Sequence, residues 1–213
     1  MTWNPARTLF PVSGLVAAVL ATTAPLHAQV ELGLFGGVLA PTSEFTVPST
    51  GAPFGSTTAK FTTTLTYGAL GRWWITERVG VQGTVGWAGG SLQLQPPFSS
   101  APDTTYSAST TTVTAVLIYR LSAPTIRNTV WLSGGAAWID RSSPRLDGLD
   151  GTNSLGMTFG LGSTLPIGHS LSVNLGLDTF IYSFALQSPT DAPAGTTQFE
   201  FRGLAGLSMR LGH

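Results

Sequence analysis

The chain has 213 residues, with 10 basic and 10 acidic side chains, 42% hydrophobic residues, 26 glycines and no cysteine. So little charge does not fit an ordinary soluble surface, since about a quarter of the residues of a globular protein are charged, and 10% aromatics excludes a disordered chain. A formal net charge of zero with Lys60 as the single lysine excludes an electrostatic nucleic-acid footprint, and the missing cysteine removes disulfides, thiol catalysis and Cys-based zinc sites together.

Residues 1–28 read as an address. Arg7 precedes an uncharged run from Leu9 to Ala24, and Pro25-Leu26-His27-Ala28 follow, the parts of a secretory signal with a small residue before the cut. Pro11, Ser13, Gly14, Thr22, Thr23 and Pro25 interrupt the run, which falls short of the roughly 20 apolar residues of a spanning helix. The expected organisation is therefore a signal peptide over 1–28, cleaved after Ala28, and one exported domain over 29–213.

Beyond residue 28 apolar and small or polar residues alternate, the period of a strand with two unlike faces. Eight strands are predicted. Val30 to Val38 sets Val30, Leu32, Leu34 and Val38 against Glu31, Gly33 and Gly37, with Phe35 breaking the polar side. Phe61 to Trp74 sets Phe61, Leu65, Tyr67, Ala69 and Trp73 against Thr62, Thr64, Thr66, Gly68 and Arg72. Val79 to Trp87 sets Val79, Val81, Val85 and Trp87 against Gly80, Gln82, Thr84 and Gly86. Thr110 to Leu121 sets Val113, Ala115, Leu117, Tyr119 and Leu121 against Thr112, Thr114 and Arg120. Val130 to Asp140 sets Val130, Leu132, Ala136 and Trp138 against Ser133, Gly135 and Ala137. Leu155 to Leu165 sets Leu155, Met157, Phe159 and Leu161 against Gly156, Thr158, Gly160, Gly162 and Thr164. Leu171 to Ser183 sets Leu171, Val173, Leu175, Leu177 and Ile181 against Ser172, Asn174, Gly176, Asp178 and Tyr182. Phe199 to Leu211 sets Phe199, Phe201, Ala205, Leu207, Met209 and Leu211 against Glu200, Arg202, Gly206, Ser208 and Arg210.

The connections alternate as strictly. Ile75 to Arg78, Ser122 to Thr129 and Pro166 to Ser170 are short, whereas Pro41 to Lys60, Gln93 to Ser109, Arg141 to Ser154 and Ala185 to Gln198 are long and rich in turn-forming residues. An antiparallel up-and-down order places the long loops at one end and the short turns, with both termini, at the other. A transmembrane barrel has that asymmetry.

Period-two alternation leaves two all-β barrels open: a soluble, lipocalin-like binding barrel with its apolar face inside, and a membrane barrel with that face on lipid. The polar face decides. Apart from Gly, Ser and Thr it holds Glu31, Arg72, Gln82, Arg120, Asn174, Asp178, Glu200, Arg202 and Arg210, too few charges for a wetted surface but enough for a narrow lumen in which charges pair. These nine residues are the expected interior polar network, with Glu31 meeting the Arg202 or Arg210 side where the first strand joins the last. Trp73 and Tyr119 near the short turns, and Trp87, Trp138, Phe199 and Phe201 near the long loops, are the expected aromatic girdles. Trp74 and Trp131 fit either face.

On this pattern, and on segments such as Gly36-Gly37-Val38-Leu39-Ala40-Pro41 and Glu77-Arg78-Val79-Gly80-Val81, the chain from Gln29 to Leu211 resembles the small eight-stranded bacterial outer-membrane β-barrels, the outer-membrane protein X type and the membrane domain of outer-membrane protein A. The family's last strand commonly ends in an aromatic residue; here Leu211-Gly212-His213 stand instead. The resemblance implies a Gram-negative outer-membrane location; unlike the full-length A-type protein, the chain stops after the eighth predicted strand, so a periplasmic peptidoglycan-binding domain is not expected. It implies contact with the lipid bilayer and lipopolysaccharide, and an extracellular ligand or host contact through the long loops. No cofactor or nucleic acid and a monomeric state are expected. Catalysis is not expected either: His27 belongs to the leader, His169 to a short turn and His213 to the terminus, so no base stands beside a loop hydroxyl. Asp147-Gly148-Leu149-Asp150-Gly151 lacks the spaced carboxylates of a calcium loop, and no metal site is expected. The expected role is structural or surface-interactive, with a plugged lumen; transport of small solutes or handling of lipid is the alternative. Acidic loop residues Glu44, Asp103, Asp147, Asp150 and Asp191 are candidates for unspecific cation or lipopolysaccharide contact.

Overall fold

The computed structural model describes residues 29–47, 57–95, 104–123, 128–144, 146, 152–184 and 196–211. The leader expected over 1–28 lies outside these residues, as do Asp103, Asp147, Asp150 and Asp191. The strands are β1 (Gln29–Pro41), β2 (Phe45–Val47), β3 (Thr57–Phe61), β4 (Thr64–Trp74), β5 (Val79–Gln95), β6 (Thr104–Arg120), β7 (Thr129–Ser142), β8 (Asn153–Pro166), β9 (Leu171–Phe184) and β10 (Thr196–Leu211). All belong to one antiparallel sheet in the order β2-β3-β5-β4-β1-β10-β9-β8-β7-β6, and β5 also pairs with β6. That last pairing closes a ring of eight strands, β1 and β4 to β10, each beside its neighbour in the chain except where β1 meets β4 and β10. Closure leaves no open edge along the ring and satisfies the backbone hydrogen bonds that a bilayer cannot.

The alternation decides which side of each strand is covered. Leu34, Leu65 and Leu155 on the outside are 70%, 74% and 76% exposed, whereas Arg72, Arg202 and Glu200 on the inside are 2%, 1% and 0% exposed. A soluble barrel would show the reverse. Covering one Leu or Phe side chain is worth about 1.5–3 kcal/mol, so an outer surface of this composition left in water would forgo tens of kcal/mol against the roughly 5–15 kcal/mol that holds a domain together. The fold needs lipid on its outside.

Several expected boundaries shift. The second predicted strand is two strands separated by a bulge, because Phe61 pairs with Leu92 but Thr66 with Ala88, so the stretch 61–66 opposes the shorter stretch 88–92. One extra residue inverts the parity: Leu65 and Tyr67 face outward as expected, but Phe61 points inward and is buried. The expected loop Pro41 to Lys60 contains β2 and most of β3, while β5 runs on to Gln95, β6 starts at Thr104, β7 reaches Ser142 and β10 starts at Thr196. These extensions enclose an apolar cluster at the outer end of the bore, built from Leu39, Phe45, Phe61, Leu92, Ile139 and Phe184 among others. Phe45 is held there by stacking on Phe61 at 5.3 Å and meeting Phe184 edge-on at 4.9 Å.

The polar interior as candidate functional site

Residues opposite one another on neighbouring strands share a face, and register brings the interior charges together in layers. At the periplasmic end Gln82 lies opposite Arg72, Arg72 opposite Glu31, and Glu31 opposite Arg210, one row across β5, β4, β1 and β10. The Arg72 guanidinium donates to Gln82 Oε1 from Nε (3.0 Å) and Nη2 (2.8 Å), and from Nη1 to Glu31 Oε2 (3.1 Å) and Thr164 Oγ1 (3.0 Å). Thr164 donates in turn to Asn174 Oδ1 (2.8 Å), and Asn174 Nδ2 donates to Ser208 Oγ (2.7 Å). The chain of bonds thus crosses the bore from β5 to β10. Trp74 and Trp131, whose faces the sequence leaves open, both point inward and are buried, with Arg72 over their rings at 5.8 and 5.1 Å.

Asp178 and Arg202 are directly opposite on β9 and β10 and form the middle layer. Arg202 donates to Asp178 Oδ2 from Nε (3.1 Å) and Nη2 (2.7 Å), then reaches across to Thr112 Oγ1 and Thr84 Oγ1, both at 3.2 Å. Thr84 and Thr114 are hydrogen-bonded to each other at 2.7 Å. Phe35 and Phe180 cover the guanidinium, each ring centre at 5.1 Å. Phe35 breaks the polar side in sequence because the lumen must be filled: its ring and backbone occupy the space where Gly68 and Gly206 lack a side chain.

In the outer layer Tyr182 donates to Glu200 Oε1 at 2.7 Å, and Arg141 Nη2 meets both that carboxylate and the Tyr182 hydroxyl. Arg141 lies over Phe61 at 4.0 Å, Phe184 at 5.2 Å and Tyr182 at 5.5 Å. Sequence reasoning places Arg141 in a loop and so misses the partner of Glu200. The signal was present, because Ala137, Ile139 and Arg141 continue the inward parity of β7.

Of the nine expected network residues, Glu31, Arg72, Gln82, Asn174, Asp178, Glu200 and Arg202 are buried in the bore. Glu31 pairs with Arg72 and, at 3.7 Å, with Arg210, rather than with Arg202. Arg210 and Arg120 lie at the periplasmic mouth, where Arg120 stacks on Trp74 at 4.6 Å and makes no ion pair among the described residues. Trp73, Trp87, Tyr119, Trp138, Phe199 and Phe201 all point outward, Trp73 and Tyr119 beside the short turns and Trp138, Phe199 and Phe201 toward the opposite end, whereas Trp87, expected at a strand end, stands midway along β5 because that strand runs on to Gln95. His169 is exposed in the turn after β8. Among the described residues no three of His, Cys, Asp and Glu gather as a metal site.

A closed antiparallel ring of eight strands, greasy outside and ion-paired within, defines a small β-barrel of the outer-membrane type. Solved structures show the same fold. The outer membrane protein OprG from Pseudomonas aeruginosa superposes with a TM-score of 0.66 at 12% identity, over 87% of this chain and 97% of that one. Outer membrane protein AlkL, determined in lipid bilayers, gives 0.51 at 13% identity over 100% and 98%, and Neisserial surface protein A gives 0.50 at 11% over 86% and 97%. No family model matches the sequence, and no curated protein matches it.

Proposed function

We propose that this chain is an integral outer-membrane barrel with a sealed lumen and a structural or surface-interaction role, supporting the envelope and presenting its long outer connections for adhesion or ligand contact. The observation that carries the reading is the stack of ion pairs, Arg72–Glu31, Arg202–Asp178 and Arg141–Glu200, each bonded to side chains from other walls of the bore. Eight strands enclose only enough room for such side chains. Trp73 and Tyr119 at one end and Trp138, Phe199 and Phe201 at the other would lie at the two bilayer interfaces, where rings with apolar bodies and polar tips are favoured. The test is solute flux through liposomes holding the purified protein: small sugars should enter no faster than into protein-free vesicles, and porin-like rates refute the sealed lumen.

A second reading is supported by the packed apolar cluster at the outer end of the bore. Leu39, Phe45, Leu92, Ile139 and Phe184 would suit a small apolar solute rather than a sugar if the Phe45 segment moved aside. Saturable binding of an apolar fluorophore, lost on Leu92→Asp, would favour solute handling over a purely structural role.

A further inference from the structure

The interior charges do not balance evenly along the bore. In the middle and outer layers each guanidinium has its own carboxylate, Arg202 with Asp178 and Arg141 with Glu200. At the periplasmic mouth Arg72 and Arg210 share Glu31, and Arg120 has no ion-pair partner among the described residues. Glu77 of the adjoining turn is the other acidic neighbour of Arg120, but Arg78 follows it in the same turn. Among the described residues positive charge is therefore in excess here, and uncompensated charge in a partly desolvated site costs several kcal/mol.

We infer that the periplasmic mouth of the barrel binds a phosphate-class oxoanion between Arg120 and Arg210. Arg120 is held by its face against Trp74, an arrangement that leaves the in-plane N–H groups free to donate. Its Nε is buried and has no hydrogen-bond partner among the described residues, and the same is true of Arg210 Nε. The Arg210 side chain as a whole is 38% exposed and Arg120 is half-buried, so both are reached from the periplasm. Beside Arg210 a cavity of about 20 Å³ is bordered by Arg72, Trp74, Thr129, Thr164, Pro166 and Ser172, with Glu31 on one side, and Trp74 is the ring on which Arg120 stacks. It has room for one oxygen atom, about the space of a single water, and the hydroxyl-bearing side chains Thr129, Thr164 and Ser172 line it together with the Arg72 and Arg210 guanidiniums. A phosphoryl oxygen fits that demand while the rest of the anion stays at the open mouth. Two planar guanidiniums match the geometry of phosphate. The phosphate can belong to a free solute or to a lipid headgroup, and the inference holds whether or not the lumen conducts.

Calorimetry with inorganic phosphate, on the folded full chain in a maltoside detergent that carries no phosphate, tests the site. One saturable binding event is expected, weakened at least tenfold by Arg120→Gln and by Arg210→Gln and changed less than twofold by Lys60→Gln on β3 at the opposite end of the barrel. Each variant is checked for the heat-modifiable gel mobility of a closed barrel. Side-chain NMR of the arginine Nε–H groups in the unaltered protein gives a second readout, in which Arg120 and Arg210 should shift on adding phosphate. Competition by a short-chain anionic phospholipid would assign the site to a headgroup, and its absence to a soluble phosphate; both outcomes support the site. No saturable phosphate binding, or binding unchanged in the double Arg120→Gln, Arg210→Gln variant, overturns it.

Discussion

Replacing Asp178 by Asn leaves Arg202 charged in the middle of the bore with no counter-charge beside it. Two unit charges about 4 Å apart interact by about 4 kcal/mol at an effective dielectric near 20, and removing one member of a buried pair costs about 3–5 kcal/mol. Thr84 and Thr112 still accept from the guanidinium at 3.2 Å and Phe35 and Phe180 still cover it, but neither supplies negative charge. Urea unfolding in lipid vesicles, followed by tryptophan fluorescence, should therefore show Asp178→Asn less stable by about 3–5 kcal/mol. The single Arg202→Met change, which strands the carboxylate instead, should cost a similar amount. Combining Arg202→Met with Asp178→Leu removes both charges, and exchanging a whole buried pair for apolar residues is often close to neutral. The double variant is expected to be at least about 2 kcal/mol more stable than either single one, a coupling that a double-mutant cycle isolates. If Asp178→Asn costs under about 1 kcal/mol, or if the two single effects simply add, water reaches the pair and the sealed-lumen reasoning is wrong.

Other outcomes follow from the same packing. Leu177 faces outward midway along β9, opposite Leu161 on β8, so Leu177→Arg should lower stability in vesicles by about 2–4 kcal/mol, as charged residues do at a bilayer midplane; a cost near zero would point to water on that face. Gly162 packs against the Trp131 ring, and a Cβ there would collide with it. Gly162→Val should cost at least about 1–3 kcal/mol by overpacking, and Trp131→Leu in the same chain should recover part of the loss in the same unfolding assay.

Much of this was readable before any coordinates. The parity of each strand follows from a few unambiguous residues, such as Arg72, Asp178 and Glu200, because a one-residue slip would put every charge on lipid. What stayed hidden has physical reasons. The bulge between Phe61 and Thr66 is made by register between two strands, which one strand's sequence does not record. Leu92 and Leu94 follow Gly89-Gly90-Ser91, which reads as a strand end, yet pairing with the long β6 carries β5 past it. Arg141 precedes Ser142-Ser143-Pro144 and looks like loop. Trp131 and Phe35 lie on the glycine-rich face because rings and glycines are complementary in a narrow bore, with Trp131 set against Gly162 and Phe35 against Gly68. Alternation marks each glycine as small without showing which ring it accommodates.

Apolar side chains meet the acyl chains and polar ones fill the bore, and a chain without cysteine allows a residue-by-residue labelling scan of that orientation. Single cysteines placed in turn from residue 171 to 184 would be spin-labelled in lipid vesicles and exposed to molecular oxygen, which concentrates in hydrocarbon, and to a water-soluble nickel chelate. Outward parity predicts oxygen collision maxima at residues 173, 175, 177, 179 and 181, with residues 174, 176 and 178 protected from both reagents. Maxima displaced by one residue, or nickel collisions at 175 and 177, would contradict it.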